Sequence, residues 1–345
     1  MLRRNFLKKI LIFTVGLIAM SNKLFAKDIF NKPLFKDGIF YNNFIGHNGS
    51  FKDLWKWRKE STKPEPMSFP LAINDPIFLK NNKTKKTLTW IGHASFLLQL
   101  DGMNILTDPH LTKRASPVSF AGPSRTTPPG LSIVNLPVID IIVISHNHYD
   151  HLDHQTIRQI VKQQKNNQPL ILVPLKLKKL LESFGANNVQ ELEWWDTVKA
   201  ANLKIHSVPV QHWSNRGFNA NKTLWCGWVF ETKNFKCIFV GDTGYSKDFL
   251  TIQEKFGGMD LALIPIGAYA PRWFMKDHHC NVEEAIQIHK DLNSKNSVAM
   301  HWGTFQLTDE PMDEPPKLLK SLSSKNNLLN DEFIAMKHGE TKKYN

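Results

Sequence analysis

The stretch Ser145-His146-Asn147-His148-Tyr149-Asp150-His151 gathers four side chains able to hold a metal ion within six residues. Alternate residues of an extended loop point to one side, so His146 and His148 can share one ion. The turn that opens the following helix sends Asp150 and His151 towards a second position. Neutral imidazoles and one carboxylate form a borderline donor set that suits zinc, and the same set accepts manganese or iron. A helix-capping loop that is merely rich in histidine is the bland alternative. An unpaired polar cluster beside an apolar strand is costly unless a metal or partner satisfies it, which weighs against that alternative.

Three further candidates stand alone in sequence. His212, Asp242 and His301 each directly follow an apolar run, as the first cluster does. One histidine after a strand is ordinarily a satisfied polar residue. Four such strand ends in one chain point to convergence on a common edge. His93, Ser95 and Asp108 also fall where a strand edge can face a site. Asp108-Pro109 is read as turn chemistry rather than as a metal ligand.

The elements that must carry these residues follow from periodicity. Leu88–Leu100 alternates like a strand, turns at Asp101-Gly102 and returns over Asn104–Pro109, a strong hairpin signal. Val138–Ile144 is an apolar run leading into the histidine cluster, and Gln155–Gln164 reads as a helix. Strands are expected at 169–174, 189–195, 204–212, 261–267 and 297–300, with a hairpin joining 224–230 to 235–240. Helices are expected at 176–184 and 282–291. Strands followed by alternating strand and helix, twice over, predict an α/β protein. Its two mixed sheets pack face to face with helices outside.

The bulk numbers frame this. The 345 residues are 41% hydrophobic and 11% aromatic, enough for one large core or two small ones. Residues 1–26 read as an export signal: Arg3, Arg4, Lys8 and Lys9 precede an apolar run from Ile10 to Met20, and Ala26 offers a cleavage point. Arg3-Arg4-Asn5-Phe6-Leu7-Lys8 is twin-arginine-like. The apolar run is short for a bilayer span of roughly 20 residues. An exported protein, periplasmic or envelope-associated, is therefore expected. Residues 27–87 mix Phe, Trp and Pro with many lysines and show little periodicity, which suggests an extended arm around a core at 88–345. The formal charge of +13 falls to +8 without the five basic residues of the signal. That balance fits anionic lipid, phosphate-bearing substrates or nucleic acid without choosing among them. The three cysteines, Cys226, Cys237 and Cys280, cannot form a closed disulfide framework.

His146-x-His148-x-Asp150-His151, with His212, Asp242 and His301 in order, resembles the ligand signature of the metallo-β-lactamase superfamily. Within it, Thr89–Ala94, Leu106–Pro109, Arg114–Pro117, Gln211–Trp213, Gly241–Tyr245, Ile264–Tyr269, Pro271–Lys276 and His301–Phe305 resemble the N-acylphosphatidylethanolamine-hydrolysing phospholipase D family. The resemblance implies an αββα sandwich and two zinc ions per chain. His146, His148 and His212 would bind one ion, Asp150, His151 and His301 the other, and Asp242 would bridge them. It maps a further active-site histidine onto His279, although Asp277, His278 and Cys280 depart from the family pattern. Asp150, Asp242 and His279 are thus the catalytic candidates, and Arg272, Lys276 and Trp273 the candidates for substrate contact.

The expected reaction is water attack on the phosphodiester of an N-acylated phosphatidylethanolamine at a membrane surface. The partner expected is phospholipid and not nucleic acid, and the reading admits a homodimer. Two rival classes remain open at this stage. One is another hydrolase on the same scaffold, a lactonase or a nucleic-acid phosphodiesterase. The other is a non-catalytic envelope protein that keeps zinc for folding. Structural zinc sites are normally closed sets of four ligands, whereas seven candidate ligands leave room for water.

Overall fold

Period-two alternation with apolar residues on both faces builds the first sheet. In the computed structural model, which describes residues 30–46, 51–217 and 219–345, Leu88, Trp90, Phe96 and Leu98 turn to one side. Ile91, Leu97, Leu106 and Ile142 turn to the other. A strand buried on both faces reads as nearly continuous apolar sequence, as these do. The expected export signal over residues 1–26 lies outside the described residues.

A two-residue hairpin, β1 (Phe35–Lys36) and β2 (Ile39–Phe40), is followed by helix α1 (Phe51–Glu60) and helix α2 (Pro76–Asn81). Asp75 caps α2 by accepting from the Phe78 amide at 2.9 Å. Next come β3 (Lys86–Gly92), β4 (Ser95–Leu100), β5 (Met103–Thr107) and β6 (Ile141–Val143), then helix α3 (His154–Gln163). Strand β7 (Leu170–Pro174), helix α4 (Lys178–Ser183) and strand β8 (Val189–Leu192) complete this half. The second half runs β9 (Thr197–Ala200), β10 (Leu203–Val208), β11 (Gly227–Glu231), β12 (Lys236–Phe239), α5 (Asp248–Phe256) and β13 (Leu261–Pro265). It continues through α6 (Arg272–Met275), α7 (Val282–Asp291), β14 (Ser297–Met300), α8 (Glu314–Lys325), β15 (Phe333–Ile334) and β16 (Thr341–Tyr344).

The strands make two seven-stranded sheets, ordered β16-β3-β4-β5-β6-β7-β8 and β15-β14-β13-β12-β11-β10-β9. Each is antiparallel in one half and parallel in the other: β5 to β8 run parallel in the first sheet, β12 to β15 in the second. The inner layer joins Trp90 and Phe96 of the first sheet to Trp228 and Phe239 of the second. The Trp228 indole also donates across the layers to the Ile144 carbonyl at 3.0 Å. Under α3 and α4 a separate layer packs Ile157, Ile160 and Leu181 against Ile142 and Ile171. This is the αββα sandwich expected from the sequence.

Some elements differ from that expectation. The single arm Leu88–Leu100 is broken: Gly92 and His93 both take positive φ, and β3 folds back on β4 with Gly92 opposite Ser95. The supposed arm over residues 27–87 contains α1 and α2. Helix α8 begins at Glu314 and carries Pro315 and Pro316 in its first turn, where proline is tolerated. The lysine-rich strand β16 pairs β3 as an edge, where charge is usual and alternation weak. Among the described residues, no helix is long and apolar enough to cross a membrane.

Candidate metal centre

The parallel strands of both sheets deliver their carboxyl ends to one rim, where ligands of open α/β sheets are commonly bound. Strand β6 runs through Ile144-Ser145 into His146. Strand β12 runs through Val240-Gly241 into Asp242, and β14 runs directly into His301. Gly241 has φ +70°, and a Cβ there would lie 2.7 Å from that of Ser145. Gly267, after β13, approaches so near that a Cβ would fall 2.1 Å from the His301 carbonyl oxygen. Neither position can carry a side chain without moving the residue beside it. His212 follows β10, and Asn42 grips its backbone, donating to its carbonyl at 2.8 Å and accepting from its amide at 3.1 Å.

These segments bring all seven expected ligands together. The ring nitrogens of His146, His148 and His212 form one group within 4.8 Å, and those of His93, His151 and His301 form a second with an Asp150 oxygen. Within the first, His146 Nε2 and His148 Nδ1 are 2.8 Å apart, and His148 Nδ1 and His212 Nε2 3.4 Å. In the second, His301 Nε2 lies 3.2 Å from His151 Nε2, and both lie 3.4 Å from Asp150 Oδ2. Asp242 borders both groups. Its carboxylate lies 3.1 Å from Nε2 of His151 and of His301, 3.8 Å from His212 Nε2 and 4.0 Å from His146 Nε2. His279 sits behind it with Nδ1 3.9 Å away.

Hydrogen bonds outside the rim fix which ring atoms face inward. The His212 Nδ1–H donates to the His278 carbonyl at 2.9 Å, since a carbonyl can only accept. His151 Nδ1 points to the Asp108 carboxylate at 2.7 Å. Ser145 Oγ spends its proton on Asp108, so at 2.8 Å it accepts from His146 Nδ1–H. Each ring therefore turns an Nε2 lone pair into the centre. Outer partners of this kind orient metal-binding histidines in general.

The electrostatics agree. Burial alone would raise the Asp242 and Asp150 carboxyls, yet His151 and its neighbours hold both well below the usual range. Burial lowers His146 and His212 well below their ordinary value and His148 to about 4, so these rings are neutral donors. Against the same burial, Asp242 and Asp150 lift His151 well above its ordinary value and His301 to about 9. A spot that raises two histidines while keeping the Asp242 and Asp150 carboxylates ionised is a seat for positive charge. Converging lone pairs beside two carboxylates fit a resident metal ion.

The residues expected to touch substrate fare differently. Arg272 is committed elsewhere: its guanidinium pairs with Glu284 at 2.8 and 3.0 Å and donates to the His279 carbonyl at 2.7 Å. It holds the His279 loop in place. Lys276 is exposed on that loop. Trp273 is 46% exposed, and Lys56 of α1 lies 4.6 Å above its ring. Two residues of the centre lacked a role in the sequence reading. Asp108, read as turn chemistry, does take positive φ, but it is fully buried and bonded to Ser145 and His151. Its signal lay in an acid at the end of an apolar strand. His93 places Nε2 2.9 Å from Asp150 Oδ2 and its ring 4.0 Å from that of His301.

Two mixed sheets sharing a His/Asp rim define a metal-dependent hydrolase of the metallo-β-lactamase fold. A family model described as a beta-lactamase superfamily domain matches residues 103–302. The "N-acyl-phosphatidylethanolamine-hydrolyzing phospholipase D 1" of Caenorhabditis elegans is 37% identical over 337 residues, spanning 92% of this chain and 94% of that protein. The mitochondrial protein of the same name from Saccharomyces cerevisiae is 40% identical over 267 residues, spanning 75% of this chain and 56% of the yeast one. Among solved structures, an isothiocyanate hydrolase from Delia radicum gut bacteria superposes with a TM-score of 0.60 at 22% identity. That match covers 75% of this chain and 98% of the other, and it speaks to the fold alone. The chain belongs to the N-acylphosphatidylethanolamine-hydrolysing phospholipase D family within the beta-lactamase superfamily.

Proposed function

We propose that the chain hydrolyses N-acylphosphatidylethanolamine to phosphatidic acid and an N-acylethanolamine, with two zinc ions per chain, at a lipid surface. The observation that carries this reading is Asp242, a buried carboxylate within 4.0 Å of ring nitrogens from both histidine groups. In this reading His146, His148 and His212 hold one ion, Asp150, His151 and His301 hold the other, and Asp242 serves both. Bound ions of this kind ease the deprotonation of water and stabilise charge on a phosphoryl oxygen. Water adds at phosphorus, the bond from phosphorus to the ethanolamine oxygen breaks, and that oxygen leaves as an alcohol after taking up a proton. His279, pushed down to about 3 by burial, is a neutral ring whose N–H can be given to a phosphoryl oxygen. Lys276, exposed on the same loop, adds positive charge for the phosphate.

The surface near that loop supports a lipid substrate. Helix α1 docks on it, with Trp57 stacked on Phe274 at 5.4 Å and bonded to Asp309 at 3.0 Å. Lys52, Trp55, Lys56 and Lys59 lie on one exposed stripe of α1 at helical spacing, and Trp55 is 64% exposed. Tryptophan at the headgroup level and lysine against anionic lipid are the usual parts of an interfacial helix. The basic then apolar start of the chain supports export, with the cell envelope as the place of work.

The test is turnover of N-acylphosphatidylethanolamine in mixed micelles by purified protein, with and without chelator. The reading expects chelator-sensitive release of N-acylethanolamine. Cleavage of soluble phosphodiesters or lactones only would discard the lipid substrate and leave a hydrolase of another specificity.

A further inference from the structure

The metal-binding loop is gripped from outside by a residue that no ligand pattern includes. Arg216 stands four residues after His212. Its Nη1 donates to the Asn147 carbonyl at 3.1 Å and to the Leu152 carbonyl at 3.0 Å. Those two carbonyls bracket residues 148–151, which carry His148, Asp150 and His151. The guanidinium also lies 4.1 Å from the centre of the Tyr149 ring, inside the bracketed stretch. One side chain therefore closes both ends of the loop and covers its middle.

The far end of this clamp is anchored. The Ser214 amide donates to Asn221 Oδ1 at 3.1 Å and its hydroxyl to the Thr223 carbonyl at 2.6 Å, so the segment 212–216 is pinned from behind. That segment supplies His212 to one group of ring nitrogens while Arg216 holds the loop that supplies the rest. The spacing between His212 and His148 thus passes through a hydrogen-bonded ring of backbone and guanidinium. Lysine cannot replace this part: an ammonium lacks the flat face set against Tyr149, and its N–H bonds turn about the Cε–Nζ axis instead of being held in one plane.

We infer that Arg216 is a positioning residue that sets the 146–152 loop in its metal-binding shape before any ion arrives. An unclamped loop must be ordered by the ion itself, and that cost appears as weaker binding. The inference rests on the metal-centre reading and is independent of the lipid substrate, because the test reads metal affinity in a protein that need not turn over lipid.

The experiment compares wild type, Arg216→Lys and Arg216→Ala. Each is stripped of metal and titrated with zinc against a chromogenic chelator, and amide hydrogen exchange is followed in the metal-free form. Both variants are expected to bind zinc about 10- to 100-fold more weakly, the usual range for lost outer partners of metal ligands. Exchange should speed up across residues 146–152 while the β-sheet amides keep wild-type protection. Millimolar guanidinium ion should restore affinity to Arg216→Ala and leave Arg216→Lys unchanged. Wild-type affinity in both variants would overturn the assignment. So would a loss of affinity accompanied by faster exchange throughout both sheets, which would mark Arg216 as a general stabiliser of the fold.

Discussion

Asp108 and His151 meet at 2.7 Å with no solvent on either side chain. Asp108 closes the turn after β5 and His151 closes the loop after β6, so neighbouring parallel strands are tied together by the pair. The opposite face of the same imidazole looks into the centre, 3.1 Å from Asp242. Asp108 thereby sets the direction in which His151 offers its lone pair.

Replacing Asp108 by Asn keeps the shape and removes the charge. The amide must now serve both Ser145 and His151, and it can present the wrong hydrogen-bonding face to one of them. Metal affinity should fall about 10- to 100-fold with the fold intact. Chelator competition alongside circular dichroism checks this, and unchanged affinity would refute the orienting role.

Asp242→Asn removes the carboxylate that borders both histidine groups. Bound metal measured by elemental analysis should drop by most of its wild-type amount, and turnover should drop by at least about 100-fold. A variant that keeps full metal content and full turnover would exclude Asp242 from the centre.

Metal removal should also change how stability responds to pH. In the metal-free protein His301 is raised to about 9 against an unfolded value of 6.5. Between these values the folded state binds more protons than the unfolded one, so stability falls as pH rises. The contribution of His301 is whole below pH 6.5 and is lost as pH passes 9. Below about pH 8 the lowered histidines still take up protons on unfolding and oppose this trend, so the decline in Tm in thermal melts of the chelated protein is expected between about pH 8 and 9.5. A Tm that stays level or rises across that window would contradict the electrostatics described here.

Arg272→Ala separates stability from function. Its pair with Glu284 is about one third exposed on each side, which limits its contribution to roughly 1 kcal/mol or less. The bond to the His279 carbonyl is lost as well, freeing the loop that carries this ring. Turnover should therefore fall by more than the stability change accounts for, about 10-fold or more, with metal content unchanged. Equal turnover in variant and wild type would show that His279 does not depend on Arg272.

Trp55→Ala together with Lys52→Ala and Lys59→Ala tests the α1 stripe. Binding to vesicles containing phosphatidylglycerol should weaken and become less sensitive to salt. Turnover of a short soluble phosphodiester should stay at the wild-type level. Undiminished vesicle binding would place the lipid surface elsewhere on the molecule.

Much of the candidate centre was legible because the side chains that gather there sit at strand ends. His146, His148, Asp150 and His151 announce themselves by density, and His212, Asp242 and His301 by following apolar runs. The sandwich was legible from the same runs, since residues buried on both faces leave an unbroken apolar signature. What escaped was whatever depends on tertiary partners. Asp108 looked like half of an Asp-Pro turn because its partner His151 lies 43 positions away. Arg216 reads as one more surface cation until the carbonyls it grips are in view. Arg272 had the right charge for a phosphate, but Glu284, twelve residues on, had already claimed it. The break at Gly92-His93 was hidden because both flanks alternate in the same register, and only the positive φ of two successive residues betrays it.

The centre draws His146, His148, Asp150 and His151 from one sheet and His212, Asp242 and His301 from the other. The seven side chains therefore form one set only where the two layers meet, with Asp242 of one sheet 3.1 Å from His151 of the other. An ion held there would be a rivet through the seam. Bound metal therefore reports whether the two layers have been joined in register only in variants changed away from these side chains and their hydrogen-bond partners, even where no substrate is at hand.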